Sequence, residues 1–110
     1  MANTINACIV GWGNVGKAVL EALRASEDFR LCGLIRRSVP DQLPPELSGV
    51  EVASEVSRLS QRPDVAILCT PSRSVPEVAP LYLSQGINTV DSYDIHTTIY
   101  EVRQKLEQAA

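Results

Sequence analysis

The sequence has a single histidine, only three cysteines and few aromatic residues, and it contains no long apolar run. No apolar stretch approaches the roughly 18 residues of a membrane-spanning helix, so we expect a soluble protein. The cysteines are odd in number and each stands within or beside an apolar run, unlike a disulfide framework. Neither they nor the histidine have the spacing of zinc ligands. The sequence therefore predicts reduced, packed thiols and no metal site.

Positive charge is also scarce. The formal net charge is −3 and the pI is about 5.0, which argues against a broad surface for nucleic acid or for anionic membranes. The first residues show neither a basic patch nor a secretory apolar core. We expect a cytoplasmic protein without nucleic-acid or membrane partners.

Short apolar runs alternate with helical patterns along the 110 residues. Strands are predicted at residues 7–10, 31–35, 50–52, 64–69 and 87–91, and residues 38–49, with three prolines, are predicted to form a loop. Helices are predicted from Val15 to about Ser26, weakly over residues 54–60, from Ser74 to a left-handed exit at Gly86, and around Ile99, Val102 and Leu106. This alternation predicts one α/β domain, residues 1–110, with a doubly wound parallel sheet of about five strands and helices on both faces.

A glycine-rich turn joins the first predicted strand to the first predicted helix. In such a turn the first glycine allows the bend, the second lets a pyrophosphate approach, and the third brings helix against strand. Free amides of the first helical turn then bind the phosphates. The alternative is a turn whose glycines only satisfy backbone geometry. The sequence favours a Rossmann-type nucleotide site formed by Gly11, Trp12, Gly13, Asn14, Val15 and Gly16.

The second predicted strand ends without the acidic residue that would bind a ribose diol and select NAD. Arg36, Arg37 and Ser38 occupy that position instead. Two guanidinium groups and a hydroxyl suit a 2′-phosphate, so the predicted cofactor is NADP. The alternative is a solvated pair of arginines.

Another candidate segment follows the fourth predicted strand, and it consists of Cys69, Thr70, Pro71 and Ser72. Ligands of open α/β sheets bind at the carboxyl ends of the strands, so the two hydroxyl groups are placed to reach a ribose or a phosphate. We expect Cys69 to contribute shape rather than reactivity. The alternative is that the segment only ends the strand, and Ser74 is better explained as a helix cap.

These segments resemble the meso-diaminopimelate dehydrogenases, and the most specific likeness is the segment of residues 89–96, Thr-Val-Asp-Ser-Tyr-Asp-Ile-His. Members of that family use NADP to interconvert the D-centre of meso-2,6-diaminopimelate with the keto acid and ammonia, in lysine biosynthesis, and work as homodimers. The resemblance implies that Ser92, Tyr93 and Asp94 join the glycine turn, residues 36–38 and residues 69–72 around the dinucleotide. It further implies that Asp94 contacts the substrate.

The residues themselves leave two roles open. Asp91 suits a local turn better than a substrate contact, and the role of His96 is not assigned. The chain departs from the family in length, because the substrate and dimerisation domain is absent; we therefore expect a fragment that binds NADP without catalysing turnover alone.

Two other functions are compatible with the same sequence patterns. The first is a stand-alone nucleotide-binding module that regulates a partner, since one Rossmann scaffold hosts many functions. The second is the cofactor domain of a glucose-fructose oxidoreductase-like dehydrogenase. Such enzymes often carry a lysine motif after the fifth strand, and this chain has no lysine between Lys17 and Lys105.

Overall fold

A computed structural model describes residues 4–36, 45–70, 75–91 and 99–109. Its strands are β1 (Ile5–Val10), β2 (Phe29–Ile35), β3 (Val52–Ala53), β4 (Val65–Leu68) and β5 (Asn88–Asp91). Its helices are α1 (Asn14–Ala25), α2 (Val75–Leu83) and α3 (Ile99–Ala109). Two 3-10 turns, Pro45–Leu47 and Val56–Arg58, flank β3.

The five strands form one sheet in the order β3-β2-β1-β4-β5, and every pair is parallel. The connections run outward from β1 in both directions, which is the doubly wound arrangement of a Rossmann-type fold. The predicted fold class is therefore confirmed.

Alternate residues of the central strands supply two separate cores, one on each face of the sheet. Ala7 and Ile9 of β1 pack on the α1 face with Leu20 and Leu23 of α1. The opposite face carries a larger cluster on which α2 and α3 pack, and it includes Cys8, Val10, Ala66, Leu68, Ala79 and Tyr82. Burial on both faces explains why the strands read as continuous apolar runs in the sequence.

The β1–β2 pairing contains an irregularity at Cys32. Ala7 pairs with Leu31 and Cys8 pairs with Gly33, so Cys32 is an extra residue in β2. The strand passes so close to Leu59 that a Cβ atom at Gly33 would lie 2.5 Å from the leucine Cδ2 atom. Only glycine fits this crossing without a shift of its neighbour.

The left-handed exit predicted at Gly86 follows helix α2, and the φ of Gly86 is +77°. The Gly86 amide donates to the carbonyl of Leu83, and the Ile87 amide donates to the carbonyl of Tyr82, both at 3.0 Å. These two bonds form a Schellman motif. It turns the chain directly into β5.

The fold differs locally from the sequence prediction, and the strand expected at residues 50–52 is Val52–Ala53. The weak helix predicted over residues 54–60 is wrong in extent, because only a 3-10 turn, Val56–Arg58, forms there. Within the predicted loop of residues 38–49, residues 45–47 form the other 3-10 turn. Among the described residues no helix has the length and hydropathy needed to cross a membrane.

Candidate dinucleotide-binding cleft

The glycine turn after β1 is held by the neighbouring strands. The Gly11 amide donates to the carbonyl of Ile35 at 2.8 Å, and the Cys69 amide donates to the carbonyl of Val10 at the same distance. Gly11 has a φ of +92°, and a Cβ atom there would lie 3.0 Å from the Cys69 carbonyl oxygen. The ends of β1, β2 and β4 are therefore brought together at one point.

The first turn of α1 presents amides without internal acceptors. Gly13 is the N-cap, in extended conformation (φ −151°, ψ −155°), and no side chain caps the helix. The first helical bond runs from the Lys17 amide to the Gly13 carbonyl, at 3.0 Å, and no acidic residue lies in the first turn. The amides before Lys17 are thus available to an anion, which the helix dipole also favours.

The second and third glycines of the turn, Gly13 and Gly16, have different structural roles. A Cβ atom at Gly16 would lie 2.9 Å from the Gly11 carbonyl oxygen, whereas a Cβ atom at Gly13 would meet nothing within 4 Å. Gly16 therefore allows the close contact of helix and turn. Gly13 keeps open the space in front of the free amides.

That space is a cleft of about 450 Å³, lined by Gly11, Trp12, Gly13, Asn14, Val15, Cys69 and Thr70. It lies at the carboxyl ends of β1 and β4, where the winding of the sheet changes direction and where ligands of such folds bind. The sequence predicts these seven residues at one site, and the fold brings them together.

One polar atom of the cleft has no partner. The Thr70 hydroxyl oxygen is buried without a hydrogen bond in the described part of the chain. Buried hydroxyl groups are normally bonded because an unsatisfied one destabilises the fold. A ligand in the cleft would provide the missing partner.

Arg36 is positioned beside the glycine turn by the backbone. It follows Ile35, whose carbonyl accepts the Gly11 amide, and its own amide donates to the carbonyl of Ala53 at 2.9 Å. No carboxylate within the described ranges forms an ion pair with its guanidinium group. These anchoring carbonyls of Ile35 and Ala53 were missed by sequence reasoning, because backbone acceptors carry no side-chain signal.

Burial keeps the cleft cysteine protonated. It raises the pKa of the Cys69 thiol above its usual value of 9.0, so the reactive thiolate is disfavoured near neutral pH. This agrees with the expectation that Cys69 contributes shape rather than reactivity. The residues described here hold no group of three or more histidine, cysteine or acidic side chains arranged to bind a metal ion.

Several predicted site residues lie outside the described residues. Asp91 is within the described ranges: it is half-buried at the end of β5, where it pairs with Leu68. The predicted site residues outside the described ranges are Arg37, Ser38, Pro71, Ser72, Ser92, Tyr93 and Asp94. Ser74, expected as a helix cap, and His96, which has no assigned role, also lie outside them. Their roles stay predictions.

Comparison with known proteins agrees with a dinucleotide-binding role for the cleft. Residues 5–110 match the model of an oxidoreductase family with an NAD-binding Rossmann fold. The chain belongs to this family. A nicotinamide dinucleotide is therefore the kind of ligand that its fold binds.

Among curated relatives in this comparison, the meso-diaminopimelate D-dehydrogenase of Bacteroides fragilis is 49% identical over 106 residues, which cover 96% of this chain and 35% of the relative. The enzyme of the same name from Corynebacterium glutamicum is 34% identical over 96% of this chain and 32% of its own. The resemblance identified from the sequence is thus confirmed. The chain spans about a third of the length of these relatives.

Solved structures agree with the sequence relatives. The diaminopimelate dehydrogenase of C. glutamicum in complex with DAP superposes with a TM-score of 0.76 at 33% identity, over 100% of this chain and 33% of that one. An engineered D-amino acid dehydrogenase bound to NADP+ gives 0.78 at 30% identity, over 98% and 33%. Homoserine dehydrogenase of S. aureus, at 11% identity, shares the fold alone.

Proposed function

We propose that residues 1–110 are the NADP-binding domain of a longer dehydrogenase that acts on the D-centre of meso-2,6-diaminopimelate. The observation that carries the proposal is the hydrogen bond from Gly11 to the Ile35 carbonyl. It holds the glycine turn beside the residue that precedes Arg36. This bond supports a proposed pyrophosphate site at the turn next to a proposed cation, Arg36, for the 2′-phosphate.

The cleft fits the cofactor on three counts. The first-turn amides of α1 lack acceptors and suit a pyrophosphate. The open space at Gly13 would be filled by any larger side chain. The buried Thr70 hydroxyl lacks a partner that a ribose or phosphate oxygen would supply.

NADP is favoured over NAD by the charge at the end of β2. An acidic residue there would repel the 2′-phosphate, and the chain has Arg36 followed by Arg37 instead. A guanidinium group forms charge-assisted and bidentate hydrogen bonds with phosphate. Ser38 adds a hydroxyl donor at the same place in the sequence.

The residues of this chain bind and orient rather than react. When bound, the dinucleotide supplies or accepts a hydride. The amides of the glycine turn would hold the pyrophosphate, and Trp12 and Val15 would form walls of the cleft. Asp94 is proposed, by resemblance, to contact the ammonium-bearing substrate, which a carboxylate suits electrostatically.

Titration of the 110-residue chain with NADPH and NADH tests the cofactor assignment. Trp12 is the single tryptophan and lines the cleft, so its fluorescence reports binding. Replacing Arg36 and Arg37 together (R36A/R37A) should weaken NADPH binding about tenfold or more, because charge-assisted bonds contribute about 1.5–3 kcal/mol each. NADH binding should change little.

A matched control removes the same charge elsewhere. Arg30 and Arg58 are both exposed, and the variant R30A/R58A should leave both affinities nearly unchanged. Equal losses of NADPH and NADH affinity in R36A/R37A would refute the 2′-phosphate assignment.

The substrate assignment needs the longer polypeptide. NADPH-dependent reductive amination of the keto acid should be present in that protein and should fall sharply in its Asp94→Asn variant. Sedimentation of the same protein tests the homodimer that the resemblance implies. Activity that is absent with this substrate but present with another amino acid would reject the diaminopimelate assignment while leaving NADP binding standing.

A further inference from the structure

Strand β3 is an edge strand in the described part of the chain, and only two of its residues pair with β2. Two backbone hydrogen bonds flank these pairs. One runs from the Leu34 amide to the Glu51 carbonyl at 2.8 Å, and the other runs from the Arg36 amide to the Ala53 carbonyl at 2.9 Å. The backbone of Arg36 is therefore fixed by a strand that has little pairing of its own.

The side chain of Glu51 supplies a second attachment for β3. Its Oε1 atom accepts the Ser60 amide at 2.7 Å, and its Oε2 atom accepts the Ser60 hydroxyl at 2.8 Å. Both oxygens of one carboxylate thus hold a single residue, and hydrogen bonds to a carboxylate are charge-assisted. We call these two bonds the Glu51 tether. They close the loop of residues 51–60 at its base.

The far end of the tether is anchored in the core. Leu59, the residue before Ser60, is 8% exposed. Its two Cδ atoms lie 2.5 Å and 2.9 Å from the point where a Cβ atom at Gly33 would stand, so this side chain rests directly on β2. Ser60 therefore follows a fixed residue, and Glu51 is attached to β2 by its carbonyl and to this anchor by its carboxylate.

We propose that Glu51 is a positioning residue that fixes β3 through the tether, and with β3 the carbonyl of Ala53 that accepts the Arg36 amide. Its consequence for the cofactor rests on the proposed function, in which Arg36 binds the 2′-phosphate. A guanidinium group binds phosphate in a defined geometry, so movement of the Arg36 backbone weakens that contact. Glu51 thus increases the preference for NADPH over NADH without touching either.

The charge of Glu51 and its tether have opposite effects on an anion, and this separates them. Removing a negative charge near a phosphate site strengthens phosphate binding, whereas losing the tether weakens it. Glu51→Ala removes both the charge and the tether. Glu51→Gln removes only the charge, because its amide oxygen can accept the Ser60 amide and its amide nitrogen can donate to the Ser60 hydroxyl.

Titration of the 110-residue chain with NADPH and NADH, followed by Trp12 fluorescence, compares these variants. Glu51→Ala should lower the ratio of NADPH affinity to NADH affinity by about threefold to fivefold, roughly the effect of one neutral hydrogen bond, since both tether residues are exposed to water. Glu51→Gln should match or exceed the ratio of the parent. A general loss of stability would lower both affinities and leave the ratio unchanged.

Glu55→Ala is the matched control. Glu55 belongs to the same loop, and its exposed carboxylate lies 3.9 Å from the Arg58 guanidinium group. The variant removes the same charge and leaves the tether intact, so it should not lower the affinity ratio.

Hydrogen exchange measures the positioning without any cofactor. The Arg36 amide should exchange about threefold to fivefold faster in Glu51→Ala than in the parent, because β3 opens locally more often, and Glu51→Gln should restore the parent rate. The Cys69 amide, which donates to the Val10 carbonyl at 2.8 Å, is the internal reference and should not change.

The two measurements separate this proposal from the proposed function. An Arg36 amide that exchanges at the parent rate in Glu51→Ala would overturn the positioning role, and so would equal effects of Glu51→Ala and Glu51→Gln. An unchanged affinity ratio in Glu51→Ala would overturn its effect on the cofactor. A parent chain that binds NADPH and NADH equally would refute the 2′-phosphate assignment, and hydrogen exchange would still decide whether Glu51 positions Arg36.

Discussion

Gly16 stands so close to Gly11 that a Cβ atom on Gly16 would lie 2.9 Å from the Gly11 carbonyl oxygen. The oxygen belongs to the backbone and cannot turn aside as a side chain would. Replacing Gly16 with alanine should therefore lower the free energy of unfolding by about 1–3 kcal/mol, as overpacking does. Urea unfolding followed by circular dichroism measures this loss, and a variant as stable as the parent would contradict the close approach.

Gly13 is expected to behave in the opposite way. Serine is a favoured N-cap residue, and the space at Gly13 is open, so Gly13→Ser should match or slightly exceed the parent in unfolding free energy. Its hydroxyl would compete with the pyrophosphate for a first-turn amide. We expect NADPH affinity to fall about tenfold, the equivalent of one lost charge-assisted hydrogen bond. Unchanged affinity in the Trp12 titration would place the phosphates elsewhere.

Thr70 offers a test of the unpartnered hydroxyl. Thr70→Val removes a buried group that lacks a hydrogen bond, so the free protein should keep its stability or gain up to about 1 kcal/mol. NADPH affinity should fall by roughly fivefold to tenfold, since a typical hydrogen bond contributes about 1 kcal/mol. Thr89→Val, on β5 and away from the cleft lining, is the matched control and should leave affinity unchanged.

Alkaline pH should destabilise the fold through Cys8. Burial, with a smaller effect of nearby Cys32, raises the pKa of the Cys8 thiol from 9.0 to about 12. The unfolded chain therefore loses this proton first, so stability is full below pH 9 and declines as pH rises toward 12. Tyr82, whose pKa burial raises to about 12 from 10.0, adds to the decline above pH 10.

The Cys8 contribution can be separated by substitution. One proton corresponds to about 1.4 kcal/mol per pH unit where only the unfolded state has lost it. Cys8→Ala should flatten the dependence of the unfolding free energy on pH by about that slope between pH 9.5 and roughly 11. A variant with the parent slope would show that Cys8 does not carry the effect.

Gly33 and Leu59 should be energetically coupled. A Cβ atom at Gly33 would collide with the Leu59 side chain, so Gly33→Ala should cost about 1–3 kcal/mol. Leu59→Ala, at a buried position, should cost about 2–5 kcal/mol. Because the second substitution removes the atoms that the first one strikes, the double variant should be more stable than the sum predicts, and strict additivity in a double-mutant cycle would argue against the contact.

Much of this fold is predictable because parallel strands that are buried on both faces have continuous apolar runs in their sequences. The strand of residues 7–10, the glycine turn and the helix after it are found from local patterns alone. The extra residue Cys32 was not predicted, although an isolated glycine inside a strand, here Gly33, is a signal of such irregularity. In place of the helix expected over residues 54–60 only the turn Val56–Arg58 forms, and Leu59, which follows it, lies against Gly33, a tertiary contact that the local pattern does not report.

The candidate site is also only partly predictable from the sequence. Residue types at the glycine turn and after β4 predict the cleft, because their chemistry is read directly from side chains. The link from Gly11 to Ile35 rests on backbone atoms, and sequence patterns do not report such bonds. The position of Arg36 beside the turn therefore required the structure.

The two edge strands of the sheet differ in length. At one margin β3 has only two residues, while β5 at the other has four, and very short strands are poor templates for adding further chains. If isolated copies of this chain associate through their edge strands, each molecule has one edge strand, β5, that is long enough to pair and one, β3, that is too short. Growth should then stop at pairs instead of proceeding to fibrils.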